Sequence, residues 1–171
     1  MSDINPIVNR VSQSGIITLD LSEWLDNHII QTIDIKNQLF KGLVLKEKDF
    51  RSWVKTNDWE SFSGSYTSLF CSTNAIVPTW AYMLITNALK GKSNKVFFGD
   101  LKRAQEQLIL HLISEMDVSQ YQDVRVVVKG CGAVNTSAYV AITERLVDVA
   151  KVLMFGEPCS TVPVYKKKKE V

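Results

Sequence analysis

The sequence has little of what marks secreted, membrane-spanning or highly charged proteins. Only three of its 171 residues are cysteines, four are prolines, and the formal net charge is +2. It contains no apolar run of about eighteen residues, so we expect no spanning helix and no membrane association. The first thirty residues lack the basic and apolar segments of a signal peptide. The near-neutral charge also gives no reason to expect nucleic-acid binding. We therefore expect a cytoplasmic protein, in which the cysteines are thiols rather than disulfides.

Length and segment order predict a single domain over residues 1–171. We divide it into an N-terminal β-rich extension with a short helix, an α/β core and a basic disordered tail, over residues 1–62, 63–165 and 166–171. Within the extension, two Ile- and Thr-rich segments at 15–21 and 28–35 predict an antiparallel strand pair. Residues 40–45 predict either a third strand or the lead-in to the short helix.

Strand-like and helix-like segments alternate from Ser65 onward. The predicted strands cover residues 66–71, 95–100, 124–131 and 151–157. The predicted helices cover residues 79–90, 101–116 and 137–150. This alternation predicts an α/β fold, with three layers around a mostly parallel sheet.

An internal repeat runs through this core. Seventeen residues separate Tyr82 from Gly99, and the same spacing separates Tyr139 from Gly156. An acidic residue follows each glycine, and a cysteine closes the preceding strand in both halves. The pattern indicates two related βαβ units, although short apolar patterns also match by chance between unrelated units of this kind.

Chemically capable side chains follow the predicted strands. They are Cys71, Asp100, Cys131, Glu157 and, two residues later, Cys159. Right-handed crossovers bring the carboxyl ends of parallel strands to one edge of a sheet, where α/β proteins bind their ligands. Three thiolates, with Asp100 or Glu157 as a fourth ligand or a supporting neighbour, suit zinc or an iron–sulfur cluster. The sequence thus raises the hypothesis of a metal site at this edge.

Two other interpretations of the cysteines remain open. In the first, they are small buried residues of an interaction module without a bound ion. In the second, a thiolate near a helix start acts in an enzyme. Neither His28 nor His111 lies near a cysteine in sequence, so no Cys–His pair is visible.

The loops after two of the predicted strands suit an anion or a cofactor. They supply hydroxyls and close backbone approach at Ser72, Thr73, Gly130 and Gly132. No established nucleotide-binding motif is present. Lys129, next to this loop, either assists an anion or lowers the pKa of a thiol, or it faces solvent, which is the interpretation we prefer.

Several segments together resemble the bacterial family called domain of unknown function 2480. They include "SGIITLDL", "LFKGLVLKEKDFR", "AIVPTWAYML", "VVVKGC" and "MFGEPCSTVPVYK". The resemblance covers nearly the whole chain and implies no established activity. It implies that genes of this kind lie beside iron–sulfur assembly genes, so iron–sulfur assembly proteins are the expected partners. Trp24 and Trp59, which are flanked by acids, either cap the sheet or line a dimer contact, and we also expect a homo-oligomer.

Overall fold

The computed structural model describes residues 15–130, 134–157 and 159–168. The chain divides into two compact units. The first unit contains the chain up to Trp24 and from Leu110 onward, and the second unit contains Leu25–Ile109. The second unit is therefore inserted between two parts of the first. Among the helices of the described residues, none is long and apolar enough to cross a membrane.

Strands and helices alternate along most of the described chain. The strands are β1 (Ile16–Leu19), β2 (Ile30–Asp34), β3 (Tyr66–Phe70), β4 (Lys95–Phe98), β5 (Arg125–Val128), β6 (Val152–Glu157) and β7 (Ser160–Lys166). The helices are α1 (Leu21–Asp26), α2 (Glu47–Thr56), α3 (Thr79–Ala88), α4 (Leu101–Glu115) and α5 (Thr136–Leu146). The α/β class, the parallel sheets and the two βαβ units are confirmed.

The second unit is built on a parallel sheet with the strand order β2-β3-β4. The apolar positions of α2 recur at i, i+3 and i+4, which makes one face of the helix apolar. That face carries Phe50, whose ring is 1% exposed and packs against Trp53 and Trp80. The buried hydroxyl of Ser68 in β3 donates a 2.7 Å hydrogen bond to the Gly99 carbonyl, which satisfies a polar group in the core.

The first unit is built on a sheet with the order β1-β5-β6-β7. The first three strands are parallel, and β7 pairs with β6 in the antiparallel direction. Val126 and Val127 of β5 are fully buried, as expected for a strand covered on both faces. Ile142 and Leu146 of α5 are also fully buried.

The predicted repeat is visible in equivalent side-chain contacts. Tyr82 packs edge-on against Phe98 at 5.3 Å, and 57 positions later Tyr139 packs edge-on against Phe155 at 5.5 Å. Thr86 donates its hydroxyl to the Tyr82 carbonyl at 2.9 Å, and Thr143 does the same to Tyr139 at 2.7 Å. The helix and last strand of each βαβ unit are therefore related position by position.

The predicted antiparallel pairing of segments 15–21 and 28–35 is wrong. β1 pairs with β5 and β2 pairs with β3, both in the parallel direction, so the two strands belong to different sheets. The N-terminal segment is accordingly not a separate β-rich extension, because it supplies the first strand of each unit. The helix α1 occupies the connection between them, where Leu21, Trp24 and Leu25 have helical spacing.

Two further differences concern strands. Residues 40–45 form a tight turn closed by a bridge between Phe40 and Val44 rather than a strand, and Lys41 in the turn has a positive φ of 52°. Strand β7 was missed because Pro163 lies inside it, and proline within a run argues against a strand. Pro163 is tolerated for two reasons. β7 lies at the edge of its sheet, and Pro163 lies next to a bulge in the pairing between β7 and β6.

Candidate functional site

The carboxyl edge of the second unit's sheet contains a cleft of about 480 Å³. Its polar lining comes from Cys71 and Ser72 after β3, Tyr82 on α3, and Asp100 and Arg103 around the start of α4. We call it the Cys71 cleft. The volume lies within the range of small-ligand sites. The Cys71 thiol is half-buried, and its Sγ lies 3.3 Å from the Thr73 hydroxyl oxygen.

Asp34 lies beside this cleft at the end of β2. Its Oδ1 accepts hydrogen bonds from the backbone N–H groups of Ser72 and Lys36, both at 3.0 Å. Its Oδ2 lies 3.3 Å from Lys36 Nζ. Burial alone would raise the pKa of Asp34, but the hydrogen bonds with Ser72 and Lys36 outweigh it and the pKa is lowered. Asp34 therefore stays ionised at neutral pH.

Tyr82 is the phenol donor of the cleft. Burial raises its pKa, and the nearby charges of Cys71 and Asp34 raise it further. The phenol therefore remains protonated and able to donate a hydrogen bond.

Asp100 and Arg103 add an acidic and a cationic side chain to the lining of the cleft. Asp100 Oδ1 accepts the Arg103 backbone N–H at 3.0 Å, so Asp100 caps α4. The stem of Arg103 lies across Gly99, where an added Cβ would approach Arg103 Cδ to 2.6 Å. Within the described part of the chain, the Arg103 guanidinium forms no ion pair.

The first unit has an equivalent edge with a different charge arrangement. Asp20 directly follows β1, much as Asp34 ends β2, and its Oδ1 accepts from the Ser22 hydroxyl at 2.6 Å and the Ser22 N–H at 3.0 Å. Its Oδ2 accepts from Lys129 Nζ at 3.0 Å. From the sequence we expected Lys129 to face solvent, but the structure shows that its ammonium group is bound by Asp20. Lys129 forms an ion pair at the position that Phe70 holds in the second unit.

We predict that Asp20 makes the stability of the protein depend on acid pH. Hydrogen bonds from Ser22 and then Lys129 lower the pKa of Asp20 in the folded state. The unfolded carboxyl titrates near about 3.9. Its contribution should be fully present above that value and disappear as the pH falls through the lower folded pKa.

Urea unfolding at pH 7 and at about pH 3 tests this. Asp20→Asn should lower the urea midpoint at pH 7 and should lose less between the two pH values than the wild type. The exposed Asp26→Asn on α1 is the control and should follow the wild type. Equal losses in all three proteins would contradict the prediction.

The structure brings some of the sequence-predicted residues together. Cys71, Ser72 and Asp100 line one cleft, and the Thr73 hydroxyl contacts the Cys71 thiol. Gly130 packs in the first unit, where an added Cβ would meet the Phe155 ring at 2.6 Å.

The other predicted residues belong to the first unit or fall outside the described residues. Glu157 ends β6, and the exposed Cys159 comes just before β7. Cys131 and Gly132 lie outside the described residues.

The cysteines that can be described are not sealed in a core. Cys71 is half-buried and Cys159 is exposed, so neither is a buried structural thiol. Among residues 15–130, 134–157 and 159–168, no group of three or more His, Cys, Asp or Glu side chains has a geometry suited to a metal ion. The three-cysteine ligand set stays a prediction.

Sequence reasoning missed the two aspartates, Asp20 and Asp34. The signal was present as a repeated tetrapeptide pattern, Thr18-Leu19-Asp20-Leu21 and Thr32-Ile33-Asp34-Ile35. In both copies the aspartate closes a strand and the next apolar residue is fully or almost fully buried. An acid flanked by buried apolar residues at a strand end is held in place at the sheet edge.

Comparison with known proteins gives a family and no activity. No curated protein and no solved structure matches the chain. The sequence model of one family, described as Protein of unknown function (DUF2480), matches residues 5–167. The match takes in both units, including the two aspartate motifs and the Cys71 cleft. The chain therefore belongs to the DUF2480 family.

Proposed function

We propose that this chain is a thiol-dependent metal-binding protein and that Cys71 supplies a ligand. The observation that carries the proposal is the Cys71 cleft. A half-buried thiol lies there in about 480 Å³ of space, with Asp100 in the lining and Asp34 beside it. Thiolate and carboxylate are donors that zinc and iron accept.

The charge distribution supports a cation at this place. Asp34 has a lowered pKa and is ionised, and after burial its charge is one of the causes that raise the pKa of Tyr82. A bound cation would pair with the Asp34 charge and favour the Cys71 thiolate over the thiol. Tyr82, which stays protonated, would donate a hydrogen bond to a ligand atom rather than compete as an anion.

The wider form of the proposal keeps the ligand set that the sequence predicts. In it, Cys71, Cys131 and Cys159 share one zinc ion or one iron–sulfur cluster, with Asp100 or Glu157 in support. Its finer form is an accessory role beside iron–sulfur assembly proteins in the cytoplasm, where thiols stay reduced. Both forms stand on the sequence and on the resemblance, and the metal content of cysteine variants tests the shared ligand set.

We predict that Cys71→Ser lowers the bound metal to about a tenth of the wild-type amount. Losing a thiolate ligand should weaken metal affinity at least as much as losing a residue that only orients a ligand. Full-length protein purified without oxygen would be measured by elemental analysis and by its absorption spectrum. A shared site requires the same loss in Cys159→Ser, whereas a site in the Cys71 cleft alone leaves Cys159→Ser unchanged. Equal metal content in the wild type and Cys71→Ser, or none in either, would overturn the proposal.

A second candidate is a thiol enzyme acting on an anion. The observation favouring it is Arg103, which lines the same cleft and whose guanidinium forms no ion pair within the described ranges. Guanidinium groups bind carboxylates and phosphates. Metal-free protein in which Cys71 reacts with iodoacetamide much faster than the exposed Cys159 would favour this candidate over the metal site.

A further inference from the structure

The second unit has an open apolar groove between α3 and β4. It encloses about 690 Å³, and its walls include Tyr82, Met83, Thr86 and Val96. Met83 is 66% exposed. Within its sheet, β4 has one neighbouring strand, β3, in the described part of the chain. The groove is separate from the Cys71 cleft except that Tyr82 borders both.

The internal repeat indicates what such a groove holds. Tyr82, Thr86 and Val96 correspond, 57 positions later, to Tyr139, Thr143 and Leu153. Those three residues also line a cavity, but it has only about 140 Å³ and Val164 of β7 forms one of its walls. β7 therefore occupies in the first unit the space that is open in the second.

Pairing with β7 also increases the burial of a residue in β6. Leu153 of β6 pairs with Tyr165 of β7 and is 1% exposed. Its counterpart Val96 in β4 is only partly buried. The second unit thus has the helix and the strand that receive an added strand, without the strand itself.

We propose that this groove binds an extended segment of a partner protein, which adds to β4 as an antiparallel strand. β-Strand addition of this kind takes its affinity from backbone hydrogen bonds and its specificity from alternate side chains. The template is β7, in which Val164 lines the filled cavity and Val162 lies two positions before it. The partner segment therefore carries β-branched apolar residues at alternate positions. Lys90 in the groove wall favours an acidic residue beside them.

The probe is a synthetic peptide with the sequence of Thr161–Tyr165, flanked by two glutamates on each side and carrying a fluorescent label. A second peptide has both valines replaced by serine and the same charge. Fluorescence anisotropy with the full-length chain should show saturable binding of the first peptide below roughly 1 mM, the weak end of specific affinities, and at least about tenfold weaker binding of the second.

Matched variants locate the binding. Met83→Glu places a charge on the groove wall at an exposed helical position, so the fold should tolerate it. Val140→Glu makes the same change at the equivalent and similarly exposed position of the first unit, where Val140 is 61% exposed. Met83→Glu should weaken binding at least about tenfold, and Val140→Glu should leave it unchanged.

Three outcomes would overturn the proposal. One is the absence of saturable binding by the first peptide. Another is equal weakening, or no weakening, by the two variants. The third is a wild-type dimer in light scattering that Met83→Glu alone converts to a monomer, which would make a second copy of this chain the occupant.

Discussion

Phe50→Ala should lower the free energy of unfolding by about 3–5 kcal/mol. The ring is 1% exposed and lies 5.4 Å from Trp53 and 5.7 Å from Trp80, measured between centroids. Removing it deletes the transfer free energy of the side chain and leaves a cavity that two large indole rings cannot fill without moving. Such a loss is a large fraction of the whole free energy of unfolding of an ordinary domain.

Urea unfolding followed by tryptophan fluorescence measures this effect. Three of the four tryptophans, Trp53, Trp59 and Trp80, belong to the second unit, so the fluorescence reports mainly on the unit that contains Phe50. Leu43→Ala is the control, because Leu43 is 70% exposed and its loss should change stability by no more than about 0.5 kcal/mol. A Phe50→Ala effect as small as that of the control would contradict the packing described for α2.

Gly156→Ala should cost about 3 kcal/mol, the sum of backbone strain and a steric clash. Gly156 has a φ of 123°, and an added Cβ would lie 2.6 Å from the Ser160 carbonyl oxygen across the β6–β7 hairpin. That oxygen belongs to the backbone of a paired strand and cannot rotate away. The substitution should therefore separate β7 from β6 as well as strain the chain.

Two glycines serve as graded controls for Gly156. At Gly99, the equivalent position with a φ of 132°, the contact is with the Arg103 side chain, whose Cγ and Cδ can move although its Cβ, at 2.8 Å, is fixed by the helix. Gly91 has a φ of 74° with no atom within 4 Å, so its alanine variant should cost only about 1 kcal/mol. Urea unfolding should rank the losses as Gly156, then Gly99, then Gly91. A reversed order would show that the clash at Gly156 is relieved.

The core of the fold could be predicted from local patterns. From Ser65 to the end of β6, apolar runs and helical periodicity located every strand and helix within a few residues. The pairing of β1 and β2 could not be predicted in this way. Their partners are β5 and β3, and Ile16 pairs with Arg125, more than a hundred residues away. No turn or spacing near β1 indicates its pairing partner. β1 and β2 are both short and both rich in isoleucine and threonine, so composition does not distinguish their partners either.

The candidate site was predictable in part for a related reason. A residue that ends a buried strand is recognisable in sequence, which is how Cys71 and Asp100 were found. The contribution of Asp34 depends on pairing between β2 and β3, which sets it beside Ser72. The same holds for Asp20 and Lys129, which β1 and β5 bring together. Since the pairing was not known, the ionised groups that set the electrostatics of each edge were not predicted.

The insertion of the second unit has a consequence for synthesis on the ribosome. Once Ile109 has emerged, every strand of the second unit is present, whereas β1 still lacks β5. In the nascent chain, β1 therefore has no pairing partner at a stage when all the strands of the second unit can already pair. Closing the first unit then joins strands across a folded insert rather than across a long flexible loop, which lowers the entropy lost in that last step.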